Sequence, residues 1–211
     1  MEREFVLRVE KIGLTLGRKC MFDSFSLQVR RGEMVCITGE SGCGKTSLLR
    51  AVLGFQSLSA GEVFVNGISL NESTVNELRR MVAYVPQELY LPCEYVSEMV
   101  MLLFELKANK KASFSYDTLM EWWNILGLEP ELYRRKVNRI SGGQRQRIVL
   151  SVSAMLNKEL YLVDEPTSAL DLESAKRVQE LFKRLTSKGA AVLAVSHDRE
   201  FMSGCDRVVN L

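Results

Sequence analysis

The octapeptide GESGCGKT, residues 39–46, sits between a short apolar run and a helically spaced stretch, and it limits the possible folds more than any other feature. It fits G-x-x-x-x-G-K-[ST] in the strand–loop–helix context that a phosphate-cradling loop requires. Gly39, Gly42 and Gly44 permit backbone angles that turn successive N–H groups inward around phosphate oxygens. The helix starting near Lys45 adds its positive end. Lys45 supplies a mobile charge for the β- and γ-phosphates, and the Thr46 hydroxyl suits Mg2+. The bland alternative is a glycine-rich turn with a chance lysine. At ordinary glycine frequency the bare pattern arises by accident in about one chain in a hundred. Nucleoside-triphosphate binding is the expectation. Cys43, near the helix start, is either a reactive thiol or a small residue that fits.

The rest of the chain supports an α/β fold. MVCIT, LYLV and AVLAV are short apolar runs without polar alternation, as strands buried on both faces of a parallel sheet should be. Helical spacing covers residues 46–53, 144–156 and 172–186. FVLRVEKIGLTL, FSLQVRRGE and GEVFVNG alternate more, as antiparallel strands with one wet face do, and the last ends in an Asn-Gly turn. VSEMVMLLFELK and YDTLMEWWNILGL read as helices, with Gly127 and Pro130 ending the second. One domain of residues 1–211 is expected. Residues 1–87 and 141–211 form a mostly parallel core with an antiparallel flap, and residues 88–140 form a helical insertion.

Asp164 and Glu165 follow the apolar LYLV, at a strand end where open α/β sheets bind ligands. Adjacent carboxylates there point apart, so Asp164 suits a metal and Glu165 a water poised for in-line attack. His197, the single histidine, follows AVLAVS and is expected to open into the same crevice as a γ-phosphate contact. ISGGQRQR, residues 140–147, places a hydroxyl and two glycines before an apolar helix. It is a second anion-suited start without a lysine.

Composition removes other classes. Across 211 residues, 46% are apolar and 26% charged, and the net charge is +2, so no basic arm for nucleic acid is present. The basic run Arg134, Arg135, Lys136, Arg139, Arg145 and Arg147 reads most simply as a solvated face, with a nearby phosphate as the minority alternative because the run surrounds SGGQ. Five scattered cysteines without a C-x-x-C pair argue against a disulfide framework or zinc site and for a reducing compartment. The charged N-terminus is no secretory signal, and no uncharged apolar run reaches membrane-spanning length. A soluble, cytoplasmic chain is expected.

GESGCGKT, ISGGQRQR, LYLVDEPTSALD and SH, in this order, closely resemble the ATP-binding subunit of ABC transporters over nearly the whole chain. SGGQ shortly before an acidic strand end is the most specific element. The resemblance implies a P-loop NTPase with a RecA-like core, an antiparallel β subdomain and an α-helical subdomain. It implies ATP and Mg2+ as ligands, with nucleotide contacts from Gly39, Glu40, Ser41, Gly42, Cys43, Gly44, Lys45, Thr46 and Ser47. Thr46, Asp164 and Gln87 are the implied metal ligands, and Glu165, His197, Lys45 and Gln87 the implied catalytic residues. Leu16 stands where relatives usually carry an aromatic ring on adenine, and offers apolar contact without stacking. Ile140 replaces the commoner leucine, a volume-conserving exchange. Ser168, Ala169, Leu170 and Asp171 resemble the loop that crosses the dimer interface.

The resemblance also implies two copies sandwiching two ATP molecules head to tail. Ser141, Gly142, Gly143 and Gln144 then meet the nucleotide held by the partner's phosphate loop. With no fused membrane segment expected, a separate integral membrane subunit is implied, and the chain is peripheral on the inner face of the cell membrane. Tyr90, Leu91, Pro92 and Tyr95 mark the expected contact. Trp122 and Trp123 are adjacent, so one is expected in the core and the other exposed. A small-molecule kinase would leave SGGQ without purpose, and a non-hydrolytic scaffold would not need Glu165 and His197.

Overall fold

In the computed structural model the described residues are 4–17, 19–88 and 92–211. Tyr90 and Leu91, expected at a partner contact, lie outside them. Two sheets form. In the antiparallel sheet, β1 (Phe5–Leu16) pairs with β2 (Lys19–Arg30) and β4 (Ala60–Val65), and β4 with β5 (Ile68–Ser69). Between β4 and β5, Asn66 at φ 50° and Gly67 at φ 80° make the tight turn that NG announced.

The second sheet is parallel. It holds β3 (Met34–Thr38), β6 (Val82–Val85), β7 (Leu160–Asp164), β8 (Ala191–Val195) and β9 (Arg207–Asn210), in the order β6-β7-β8-β3-β9. β3, β7 and β8 are buried on both faces, and their alternate side chains serve different cores. Leu160 and Leu162 meet α1 (Lys45–Val52) and the antiparallel sheet. Tyr161 and Val163 meet α3 (Val96–Glu105), α4 (Tyr116–Leu126), α5 (Gly142–Met155) and α6 (Leu172–Ser187). Four short strands and α-helices were not expected from the sequence: β5, α2 (Val75–Met81), β6 and α7 (Arg199–Ser203). Each is too short to show a period.

α4 corrects one expectation. Its Ser115 cap accepts from Thr118 N at 3.3 Å, and Gly127 ends it at φ 63°. Between these, Leu119, Trp122, Trp123 and Leu126 fall at i, i+3, i+4 and i+7 on one buried stripe. Both tryptophans are therefore in the core, at 7% and 1% exposure, and neither is free for a partner. Trp123 Nε1 donates to Ser151 Oγ at 3.0 Å, and Lys188 Nζ covers the Trp122 ring.

The basic run is also only half solvated. Arg134, Arg135, Lys136 and Arg139 are exposed, but Arg145 and Arg147 are half-buried. Arg147 Nη1 donates to Leu126 O at 2.7 Å and Gly127 O at 3.2 Å, closing the C-terminus of α4. Burial pulls its guanidinium below the usual value.

Candidate functional site

Four parallel strands end on one side. β3 leads into the phosphate loop, β6 into Gln87, β7 into Asp164 and Glu165, and β8 into His197. A cavity of about 570 Å³ opens between them, lined by Leu16, Ser41, Gly42, Gly44, Lys45, Thr46, Ser47, Gln87, Asp164, Glu165 and His197, with Lys19, Met21 and Val195. A larger cavity, about 1040 Å³, lies between Lys11, Glu33, Glu62 and Arg207 and contains none of the expected residues. Chemistry, not size, locates the site.

The phosphate loop has the backbone its glycines allow. Gly39, Gly42 and Gly44 lie at φ 149°, 78° and 109°. A Cβ on Gly44 would also meet Phe22 at 3.0 Å and Met21 at 3.1 Å, so β2 packs directly on the loop. Lys19 Nζ ties the same strand to Gly42 O at 3.0 Å. Lys45 is less mobile than expected: it is 8% exposed, and its Nζ donates to Gly39 O at 2.8 Å and Glu40 O at 2.9 Å. The ammonium thus holds the loop in shape. Cys43 does not line the cavity of Lys45 and Asp164; it lines another, with Cys20 and Phe22.

Opposite the loop, Thr46 Oγ1 donates to Asp164 Oδ2 at 2.7 Å. Asp164 is 3% exposed, and burial pushes its carboxyl up against the opposing pull of Thr46, Arg50 and Lys45. A hydroxyl and a buried carboxylate side by side fit a hard divalent cation that prefers oxygen. Gln87 also lines the cavity wall, and its side chain carries an amide oxygen.

Glu165 stands in left-handed backbone at φ 50°, a conformation its neighbours impose. Its N–H donates to Val195 O at 2.9 Å, and its carbonyl accepts from Gln146 Nε2 at 2.9 Å and Ser168 Oγ at 3.1 Å. The side chain turns into the cavity, where Oε1 lies 3.5 Å from His197 Nε2. Burial raises this carboxyl as well, with His197 opposing. A raised carboxylate makes a better proton acceptor near neutrality. His197 is the more open partner.

The expected residues of the SGGQ segment and Asp171 do not join the cavity. Ser141 caps α5: its Oγ accepts from Gln144 N at 3.1 Å, while Gln144 Oε1 accepts from Ser141 N at 2.9 Å. Ser141 and Gly142 are exposed. Gly143 has a reason within the chain, since a Cβ there would meet Ala169 O and Leu170 Cδ2 at 2.9 Å. Gly142 has none: its backbone angle is ordinary and nothing lies within 4 Å of a Cβ placed on it. Asp171 caps α6, accepting from Ser174 N at 2.8 Å, and that bond holds its carboxyl below the usual range. Gln87 joins the two regions, because it also lines a 190 Å³ cavity with Gly142, Arg145 and Gln146.

Gln146 and Arg50 were missed. Gln146 holds the Glu165 backbone and Arg50 faces Asp164, but each sits among ordinary helix formers. Their roles arise only from tertiary contact.

A family model described as ABC transporter matches residues 22–168. The lipoprotein-releasing system ATP-binding protein LolD 1 of Chlorobium chlorochromatii is 31% identical, over 98% of this chain and 88% of that protein. The glutamine transport ATP-binding protein GlnQ of Bacillus subtilis is 31% identical, over 87% of this chain and 77% of that one. Other relatives are longer: the chain spans 43% of the spermidine/putrescine import protein PotA of Bacteroides fragilis, at 33% identity over 94% of this chain. It spans 39% of an ABC transporter ATP-binding protein of Treponema denticola. Among solved structures, a dimeric bacterial ABC transporter cassette aligns at TM-score 0.83 and 26% identity, over 97% of this chain and 94% of that chain. A dimeric ATP-binding cassette in a post-hydrolysis state with ADP and Pi aligns at 0.82 and 25% identity, with the same coverage.

Proposed function

Because the chain belongs to the ABC transporter family, we propose that it binds Mg-ATP between two head-to-tail copies and hydrolyses it to power a separate membrane subunit. The observation that carries this reading is the split between two anion-suited loops. The Lys45 loop faces Asp164, Glu165 and His197 across one cavity, whereas Ser141, Gly142 and Gly143 lie outside it. Gly142 is unexplained inside the chain, and a second copy approaching closely supplies the missing reason.

In this reading the phosphates enter the loop, and Lys45 Nζ exchanges the carbonyls of Gly39 and Glu40 for phosphate oxygens. Leu16 covers the base with apolar contact. Thr46, Asp164 and Gln87 would hold Mg2+, which neutralises phosphate charge when bound. Glu165 takes a proton from the attacking water, and His197, 3.5 Å away, orients that carboxylate and meets the γ-phosphate. The partner copy adds the Ser141 hydroxyl and the first-turn N–H groups of its α5, which have no intrahelical acceptor.

No helix among the described residues is long and apolar enough to cross a membrane. In this reading the movement of cargo runs through a membrane subunit. We place the chain in the cytoplasm, peripheral on the inner membrane face, with residues 88–140 as the inserted unit that meets the membrane subunit. The relatives are named for import and for lipoprotein release, so we assign cargo choice to that subunit. Nucleic acid has no part in this reading.

ATP hydrolysis by wild type and Glu165→Gln tests the function. The variant should lose about 100- to 10,000-fold in kcat while retaining ATP. Equal rates would remove Glu165 as the base. Because burial raises its carboxyl, the acid limb of the wild-type rate should fall at a pH above that of an ordinary carboxylate.

A further inference from the structure

One face of α5 joins the exposed SGGQ segment to Glu165. Gly142, Arg145, Gln146 and Val149 fall at i, i+3, i+4 and i+7 of this helix, and that stripe lines the 190 Å³ cavity together with Gln87 and Ala169. The exposed Gly142 at the helix start and Gln146 one turn later therefore share a face. From that face Gln146 Nε2 donates to Glu165 O at 2.9 Å.

Two features single out this bond. Glu165 stands at φ 50°, a left-handed backbone that disfavours a side chain and persists only where neighbours fix it from both ends. Its N–H is fixed by Val195 O, at the end of β8, and its carbonyl by Gln146 and Ser168. The second feature is a cost. Among the described residues, Gln146 Oε1 is buried without a hydrogen-bond partner. An apolar side chain of similar size would avoid that orphan, so packing alone does not call for an amide here. Reversing the amide would turn Oε1 onto the Glu165 carbonyl, oxygen against oxygen, which leaves Nε2 as the group that belongs there.

We propose that Gln146 is a positioning residue for the base: through the Glu165 carbonyl it ties that carboxylate to the stripe of α5 that begins at Gly142. This role rests on the proposed dimer and its hydrolysis of ATP. A partner copy seated against Gly142 sets α5, α5 sets Gln146, and Gln146 sets the turn from which the Glu165 side chain reaches the cavity and His197. Gln146 itself exchanges no proton. Without its donor, Ser168 alone holds the carbonyl and the carboxylate loses its aim at the attacking water. The phosphate loop, braced by Lys45, and the Thr46–Asp164 pair are untouched.

Gln146→Leu and Gln146→Met remove the donor and keep the bulk. Steady-state ATP hydrolysis and monomer ATP binding are measured for wild type and both variants. kcat should fall about tenfold to 100-fold with KM and binding unchanged, since a misplacement of about 1 Å suffices for such a loss. The same substitutions are then placed in Glu165→Gln, where ATP-driven dimerisation is followed by sedimentation and hydrolysis in single turnovers. There the dimer should form as before, and the added loss should stay under about twofold, because Gln146 acts only through the missing carboxylate. An unchanged kcat in the folded variants, a loss confined to KM or binding, or the same fold-loss with and without Glu165 would overturn this role and leave the function standing. A wild type that binds ATP without hydrolysing it would overturn both.

Discussion

The phosphate loop and the SGGQ segment look alike as sequence and differ as structure. Each places glycines before a helix. In the phosphate loop all three glycines adopt positive φ, a buried lysine braces the turn, and β2 packs onto Gly44. In the SGGQ segment both glycines have ordinary helical backbone, the Ser141–Gln144 bonds close the cap on itself, and the outer face is bare. Glycine serves backbone shape in one region and absence of bulk in the other. The first loop is braced within the chain; in the proposed dimer the second meets a partner copy.

Substitutions can break this contrast. Lys45→Ala should have the largest effect, lowering monomer ATP affinity about 100-fold or more, since each hydrogen bond to a charged group contributes about 1.5–3 kcal/mol. An equal loss from Gly142→Ala in the monomer would erase the distinction. Gly44→Ala should cost about 1–2 kcal/mol in denaturant unfolding for its left-handed backbone, with more from contact with Phe22 and Met21. Glu165→Gln should unfold at higher temperature than wild type near neutral pH. The folded carboxyl is raised above its unfolded value, so its ionised form opposes folding, and the variant's advantage should vanish as pH falls below the unfolded value. Gly142→Ala should be the mildest, stabilising the monomer by about 0.4–1 kcal/mol because its helical backbone accepts a methyl group without contact.

Much of the site was legible because its residues follow strands whose apolar runs are continuous. MVCIT, LYLV and AVLAV announced three strand ends, and Lys45, Thr46, Asp164, Glu165 and His197 fall just beyond them. The fourth, β6, is only VAYV and was lost between a short helix and Gln87. Residues acting through a neighbour left no local trace: Gln146 bonds the Glu165 carbonyl, and Arg147 closes α4 from the next helix. The tryptophan expectation failed because a helical stripe is wide enough for two adjacent rings.

In the proposed dimer, Ser141, Gly142 and Gly143 complete the site of a second copy. ATP-dependent dimerisation of Glu165→Gln, with and without Ser141→Arg, followed by sedimentation alongside monomer ATP binding, tests it most directly. The arginine should abolish the ATP-driven dimer while the monomer binds ATP as before. Loss of monomer binding, or a dimer that forms regardless, would contradict it.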